Sequence, residues 1–192
     1  MKKRGRPKGK VLLTIEDICI AALQILDESG PKGLSMRTLA DVLSVTPMAL
    51  YNHVEDRVSL LRALSDYVYR DVSQKFEQST GSPRKRTEFL LISYYAAVLK
   101  HPNLSLSIFE TPDAFSVEAE RITNYLEALL KDAGLSLAKR KLWLEILVDF
   151  THGSSIATAT HHIKKKSNRA FIQSQSQRYE KALTELLNHV FP

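Results

Sequence analysis

The chain has 192 residues, 44% of them hydrophobic, and a net charge of +6 from 27 Lys and Arg against 21 Asp and Glu. That length accommodates one small and one medium helical domain with a real apolar core, and no stretch approaches the roughly 20 apolar residues of a membrane-spanning helix. One cysteine, Cys19, excludes an internal disulfide framework.

The positive excess sits at the start. Lys2, Lys3, Arg4, Arg6, Lys8 and Lys10 are six of the 27 basic residues, so the rest of the chain is neutral. A basic arm of this kind is an electrostatic handle for a polyanion, with nucleic acid the first reading and a membrane surface the second. The arm has no large apolar residue with which to hold a bilayer. Within it, Arg4-Gly5-Arg6-Pro7 is the core of an AT-hook, whose two arginines suit the narrow minor groove of A·T-rich DNA. A non-specific phosphate tether or a solvated tail is the plainer alternative. The start is basic and then amphipathic, without the apolar block of a secretory signal. A cytoplasmic protein with Cys19 as a buried thiol is therefore expected.

Helical periodicity dominates from there, and no strand alternation stands out. Thr14 caps a first helix with Ile15, Ile18, Cys19, Ala22, Leu23 and Leu26 on one face, ended by Gly30-Pro31. Ser35 caps a short second helix carrying Met36, Leu39, Ala40 and Leu43. Ser44 and Val45 make a tight turn, and Thr46-Pro47 opens a third helix to about His53. Asp56 caps a longer fourth helix with Leu60, Leu61, Leu64, Val68 and Val72 inward. Ser79-Thr80-Gly81-Ser82-Pro83 is the clearest break, and the domain boundary is placed there. Beyond it are expected a helix through Lys100, a His101-Pro102 break, and a short helix from Leu104 to Phe109. Two further helices span about 116–133 and 136–163, and a last one runs from 169 to 190. The expected fold is all-α, divided into an arm (1–13), a three-helix DNA-binding domain (14–56), a connecting helix (57–78) and a C-terminal domain (84–192).

Residues 35–53 read as a helix-turn-helix, in which the second short helix enters the major groove and its first residues meet base edges. Arg37 suits the DNA backbone. The outward set on the third helix is Thr46, Met48, Ala49, Tyr51, Asn52 and His53, with Val45 and Leu50 turned to the core. Thr46 and Tyr51 hydroxyls suit phosphates, Asn52 a phosphate or base edge, and Met48 and Ala49 a thymine methyl. Arg57, at the start of the fourth helix, adds a cation near phosphates. A helical hairpin that never meets DNA is the bland alternative.

The run from Ser35 through Val54, continued by Glu55-Asp56-Arg57-Val58-Ser59-Leu60-Leu61, resembles the DNA-binding domain of the tetracycline-repressor (TetR) family. Leu50-Tyr51, Val54, Arg57 and Leu60-Leu61 occupy the places of the family's apolar frame, basic residue and leucine pair. The likeness is specific over about residues 14–65 and architectural afterwards. Two positions depart from it: Ser44 stands where the turn usually has glycine, and Arg57 where lysine is more common. The resemblance implies a homodimer paired through the last two long helices, with the fifth helix onward forming a ligand core. It also implies a repressor that reads a pseudo-palindromic double-stranded DNA operator and answers to a small-molecule effector.

Fourteen of the fifteen aromatic residues follow residue 60. Tyr94, Tyr95, Phe109, Phe115, Trp143 and Phe150, with His152, are the candidate effector-site residues, the alternative for each being plain core packing. Gly153, Ser154, Ser155, Ala157 and Ala159, with Ala182, Leu183, Leu186, Leu187 and Val190, read as a dimer interface or as an internal core. Gly153 is also a candidate helix break. Asp149 and His152 share a helix face, and His161 and His162 diverge, so no metal site and no cofactor are expected. Phosphate-loop, Gly-x-Gly-x-x-Gly and nucleophile signatures are lacking, which argues against an enzyme. An architectural DNA-coating protein remains as a rival to the regulator.

Overall fold

The computed structural model describes residues 12–165 and 169–191, of which 161–165 and 169 by backbone alone. Among the described residues there are helices and turns but no strand. The arm, with Arg4 and Arg6, and the His161-His162 pair of side chains lie outside that description.

Helix α1 spans Ile15–Ser29 and begins with a reciprocal cap: the Asp17 amide donates to Thr14 Oγ1 (3.1 Å), and the Thr14 amide donates to Asp17 Oδ2 (3.0 Å). Ile18, Cys19, Ala22 and Leu26 are buried, whereas Ile15, expected on the same face, is exposed in the first turn. Cys19 is buried as expected, its thiol directed at the Ala63 carbonyl and its pKa pushed up to about 11 by loss of solvent. Helix α2, Met36–Val42, is capped by Ser35, and α3, Pro47–Tyr51, by Thr46, with proline at its first position. Helix α3 stops two residues before His53, with Asn52 as its C-cap.

Between α2 and α3 the chain turns on a Schellman motif. The Val45 amide donates to the Ala40 carbonyl and the Ser44 amide to the Asp41 carbonyl. This geometry requires a left-handed residue, and Ser44 supplies it at φ 54°, the one non-glycine with positive φ among the described residues. Asp56 and Ser59 then form a second reciprocal cap and launch α4, Arg57–Glu77.

Helix α4 belongs to two cores. Its Leu60, Leu61 and Leu64 complete a cluster with Ile18, Leu26, Leu39, Leu50 and Val54, while Tyr69, Val72 and Phe76 join a second cluster farther along. That second core is built by α5 (Pro83–Lys100), α7 (Val117–Asp132), α8 (Leu137–Lys165) and α9 (Arg169–Val190). Between the cores lie the short α6, Pro102–Phe109, and a 3-10 turn at Pro112–Ala114. Gly134, left-handed at φ 78°, follows the C-cap Ala133 and ends α7. Helix α8 runs through Gly153 without the break that the glycine offered.

Candidate functional site

The outer surface of α2 and α3 is polar and open. Arg37, Thr46, Tyr51, Asn52 and His53 are exposed, Met48 is 70% exposed, and Ala49 is half-buried. Leu39, Ala40 and Leu50, by contrast, have no exposure and anchor the pair to α1 and α4. The expected outward set is thus exposed, apart from the half-buried Ala49. Met48 offers an apolar contact on this surface of the kind a thymine methyl accepts.

Arg57 stands apart from that set. It is half-buried, and its guanidinium donates to the Leu34 carbonyl and, at 3.1 Å, to the Pro31 carbonyl. Those carbonyls belong to the α1–α2 connection, so two of its five N–H donors brace that loop against α4. Sequence periodicity placed the side chain near α4's N-terminus but gave no sign of this loop contact.

A cavity of about 250 Å³ lies among α4, α5, α6, α7 and α8. Of the seven side chains expected around an effector, Tyr94, Phe109, Phe115 and His152 line it. Phe109 and Phe115 are over half exposed and form its rim. The others lie elsewhere. Tyr95 and Phe150 both stack on Tyr179 of α9, with ring centroids 4.0 and 5.4 Å away. Tyr179 also holds the core through a 3.2 Å hydrogen bond to the Leu91 carbonyl. Trp143 packs half-buried against the same core.

The cavity also has linings that sequence reasoning missed: Ser65, Tyr69, Ser105, Ile108, Pro112 and Ala119. The local signal was Ser65 and Tyr69, four residues apart on the buried face of α4. Tyr94 Oη lies 2.7 Å from His152 Nε2, and Tyr69 Oη lies 3.4 Å from Ser105 Oγ. Burial lowers the His152 pKa from the ordinary 6.5, against the opposing effects of a hydrogen bond to the Val148 carbonyl and the Asp149 charge. Burial likewise raises the phenol pKa of both Tyr69 and Tyr94. The lining carries no formal charge when His152 is neutral. Asp149, expected on the same helix face as His152, is exposed, and no group of three metal-ligating side chains occurs among the described residues.

Helix α6 connects this cavity to the N-terminal core. Ser105, Ile108 and Phe109 line the cavity, while Leu104 and Ile108 pack into the N-terminal core. At its start, Asn103 Nδ2 donates to the Leu26 carbonyl at 2.8 Å, and His101 Nδ1 lies 2.8 Å from Asp27 Oδ2, so α1 is held at both contacts. The 3-10 turn is fastened to α4 in turn: Arg62 Nε donates to the Asp113 carbonyl (2.7 Å), and Ser65 and Ser116 hydroxyls lie 2.8 Å apart.

The small residues of α8 divide between two faces. Ser155, Thr158 and Ala159 are buried, and Ser155 and Thr158 bond to Tyr95 of α5. Leu142, Ile146, Gly153 and Ala157 form an exposed stripe instead. On α9, Leu183, Leu187 and Val190 go to the internal core, while Ala182 faces an open groove shared with Phe150 and Ala157.

No protein-family model matches the chain. Among curated proteins it is 28% identical over 160 residues to the tetracycline repressor protein class E of Escherichia coli, covering 79% of this chain and 72% of that protein. It is 41% identical over 97 residues to an HTH-type transcriptional regulator of Saccharopolyspora erythraea, spanning 50% of this chain but only 40% of that one. Among solved structures, Mycobacterium smegmatis BioQ superposes with a TM-score of 0.73 at 24% identity, covering 93% of this chain and 98% of that one. BioQ with its natural double-stranded DNA operator gives a TM-score of 0.67 at 25% identity, with coverage of 93% and 98%. The chain, a capped helix-turn-helix packed on an all-helical core, is thus similar in sequence to the tetracycline repressor and to an HTH-type transcriptional regulator, and in fold to BioQ.

Proposed function

We propose that the protein is a cytoplasmic, ligand-responsive repressor that binds a pseudo-palindromic operator as a homodimer. The observation that carries this reading is the double membership of α6, which lines the cavity on one side and packs on the DNA-reading head on the other. A ligand that fills the cavity and displaces α6 also moves α1, through Asn103 and His101, and α4, through the turn at Asp113. Two heads must meet successive major-groove faces about 34 Å apart, so a modest tilt of each is enough to break the match.

In this reading Thr46, Met48, Ala49, Tyr51, Asn52 and His53 face the groove and its phosphates, and Arg37 the flanking backbone. Arg57 acts mainly by bracing the loop behind them. The arm, through Arg4 and Arg6, adds a minor-groove or phosphate contact beside each half-site. The effector enters past Phe109 and Phe115 to Tyr94 and His152. Residues 14–56 serve as the head, 57–78 as the connecting helix and 84–192 as the sensing and pairing domain. The exposed α8 stripe and the α8–α9 groove supply an isologous contact.

Sequence-selective enrichment of random DNA by the purified protein, at moderate salt, tests the reading. The expected product is a two-fold-related motif with A·T-rich flanks. Uniform recovery of all sequences by folded dimer would overturn it in favour of a DNA-coating protein.

A further inference from the structure

The wall of the cavity is made of two kinds of group. Ile108, Phe109, Pro112, Phe115 and Ala119 have side chains of carbon alone. The rings of Tyr69, Tyr94 and His152 continue this wall, with Tyr69 and Tyr94 centroids 5.2 Å apart and Phe109 edge-on to His152 at 4.9 Å. The polar atoms are turned to one another. Ser65 Oγ lies 2.8 Å from Ser116 Oγ, Tyr94 Oη 2.7 Å from His152 Nε2, and Tyr69 Oη 3.4 Å from Ser105 Oγ. Whichever atom of each pair donates, no polar side chain of the lining is without a protein partner.

The lining is also free of charge. Loss of solvent keeps the Tyr69 and Tyr94 phenols protonated and the His152 imidazole neutral at neutral pH. Charged side chains near the lining residues in sequence are engaged elsewhere. Asp66 accepts the Glu118 amide at 2.9 Å, Glu118 pairs with Arg121 at 3.2 Å, and Arg62 donates to the Asp113 carbonyl at 2.7 Å. Glu110, Asp113 and Asp149 are exposed, and none of these residues lines the cavity. An ion entering it would lose its water and gain no counter-charge. Size sets a further limit: an apolar cavity of about 150 Å³ takes one benzene, so 250 Å³ holds roughly ten non-hydrogen atoms.

We infer that the effector is a compact, uncharged and largely apolar molecule of roughly ten non-hydrogen atoms, held by the aromatic wall rather than by ion pairs or hydrogen bonds. This inference rests on the reading of the cavity as the effector site.

Isopropylbenzene, benzamide, benzoate and benzamidinium test it, because each is a phenyl ring carrying a small forked group and they differ in polarity and charge. The full-length protein is titrated calorimetrically into each probe at neutral pH. Isopropylbenzene is expected to bind about tenfold more tightly than benzamide, whose amide finds no free partner, and about a hundredfold more tightly than either ion. Ala119→Leu, which overfills the wall, should weaken isopropylbenzene about tenfold. Phe109→Ala, at the exposed rim, should weaken it as well without touching the core. Near-ultraviolet circular dichroism confirms that each variant keeps its packing.

Equal or tighter binding of benzamide, benzoate or benzamidinium, with sensitivity to either wall variant retained, overturns the apolar, uncharged class and leaves the cavity standing as a ligand site. Binding that neither variant weakens, or no binding by any probe, overturns the cavity itself as the effector site.

Discussion

Ser44 is the residue at which sequence and fold pull against each other. Helix α2 must end in a left-handed residue for Val45 and Ser44 to reach the Ala40 and Asp41 carbonyls. Serine in that conformation costs roughly 1 kcal/mol relative to glycine, because its Cβ crowds the backbone. The hydrogen bonds of the turn and the burial of Leu39, Ala40 and Leu50 hold it there. Ser44→Gly is therefore expected to raise stability by about 1 kcal/mol, or the melting temperature by about 2–4 °C for a chain of this size. A lower melting temperature in differential scanning calorimetry would mean that unfolded-state entropy outweighs the relieved strain. Only the family resemblance pointed to this position, because the turn there usually carries glycine. That the chain tolerates serine there needed the geometry.

At the scale of elements, what was legible was local. Thr14 with Asp17, Ser35, Thr46-Pro47 and Asp56 each satisfy helix amides within three residues of themselves, so α1 to α4 begin where their caps predict. The cavity was only half legible because its partners are remote in sequence. Tyr95 and Phe150 are drawn to Tyr179, while Tyr69 and Ser105 come together from α4 and α6. Helical periodicity says which way a side chain faces, and it does not say which of several apolar neighbours will be there. Arg57 shows the same limit, since its carbonyl partners lie 23 and 26 residues away. Its role is separable by experiment. If it braces the loop, Arg57→Ala lowers stability by about 1–3 kcal/mol and leaves the salt dependence of DNA binding unchanged. If it instead neutralises a phosphate, the log–log salt slope falls by about one unit while stability holds. The expected outcome is the first, read from thermal melts and from binding titrations at several salt concentrations.

Two predictions belong to the whole molecule. The exposed α8 stripe contains Leu142, 55% exposed, and Ile146, 36% exposed, beside the small Gly153 and Ala157. Introducing Leu142→Arg with Ile146→Glu should leave each protomer folded and shift sedimentation from dimer to monomer; an unchanged sedimentation coefficient would move the interface elsewhere. The second concerns His152, where α5, α6 and α8 meet around the cavity. Burial holds its pKa below the ordinary 6.5, so in acid the unfolded chain binds a proton that the native chain does not. Stability is then fully present above about pH 6.5 and declines as the pH falls from there towards the native pKa. Protonation also places a charge against Phe109 and leaves Nε2, 2.7 Å from the Tyr94 hydroxyl, able only to donate. His152→Gln offers Tyr94 an amide oxygen and cannot titrate, so its melting temperature should fall less than that of the wild type between pH 7 and pH 5. Taking the difference between the two proteins cancels the contribution of every other titrating group they share, the Asp27–His101 contact included. Parallel melting curves across that range would show that His152 takes up its proton equally in both states, and the cavity would then be wet enough to solvate a charge.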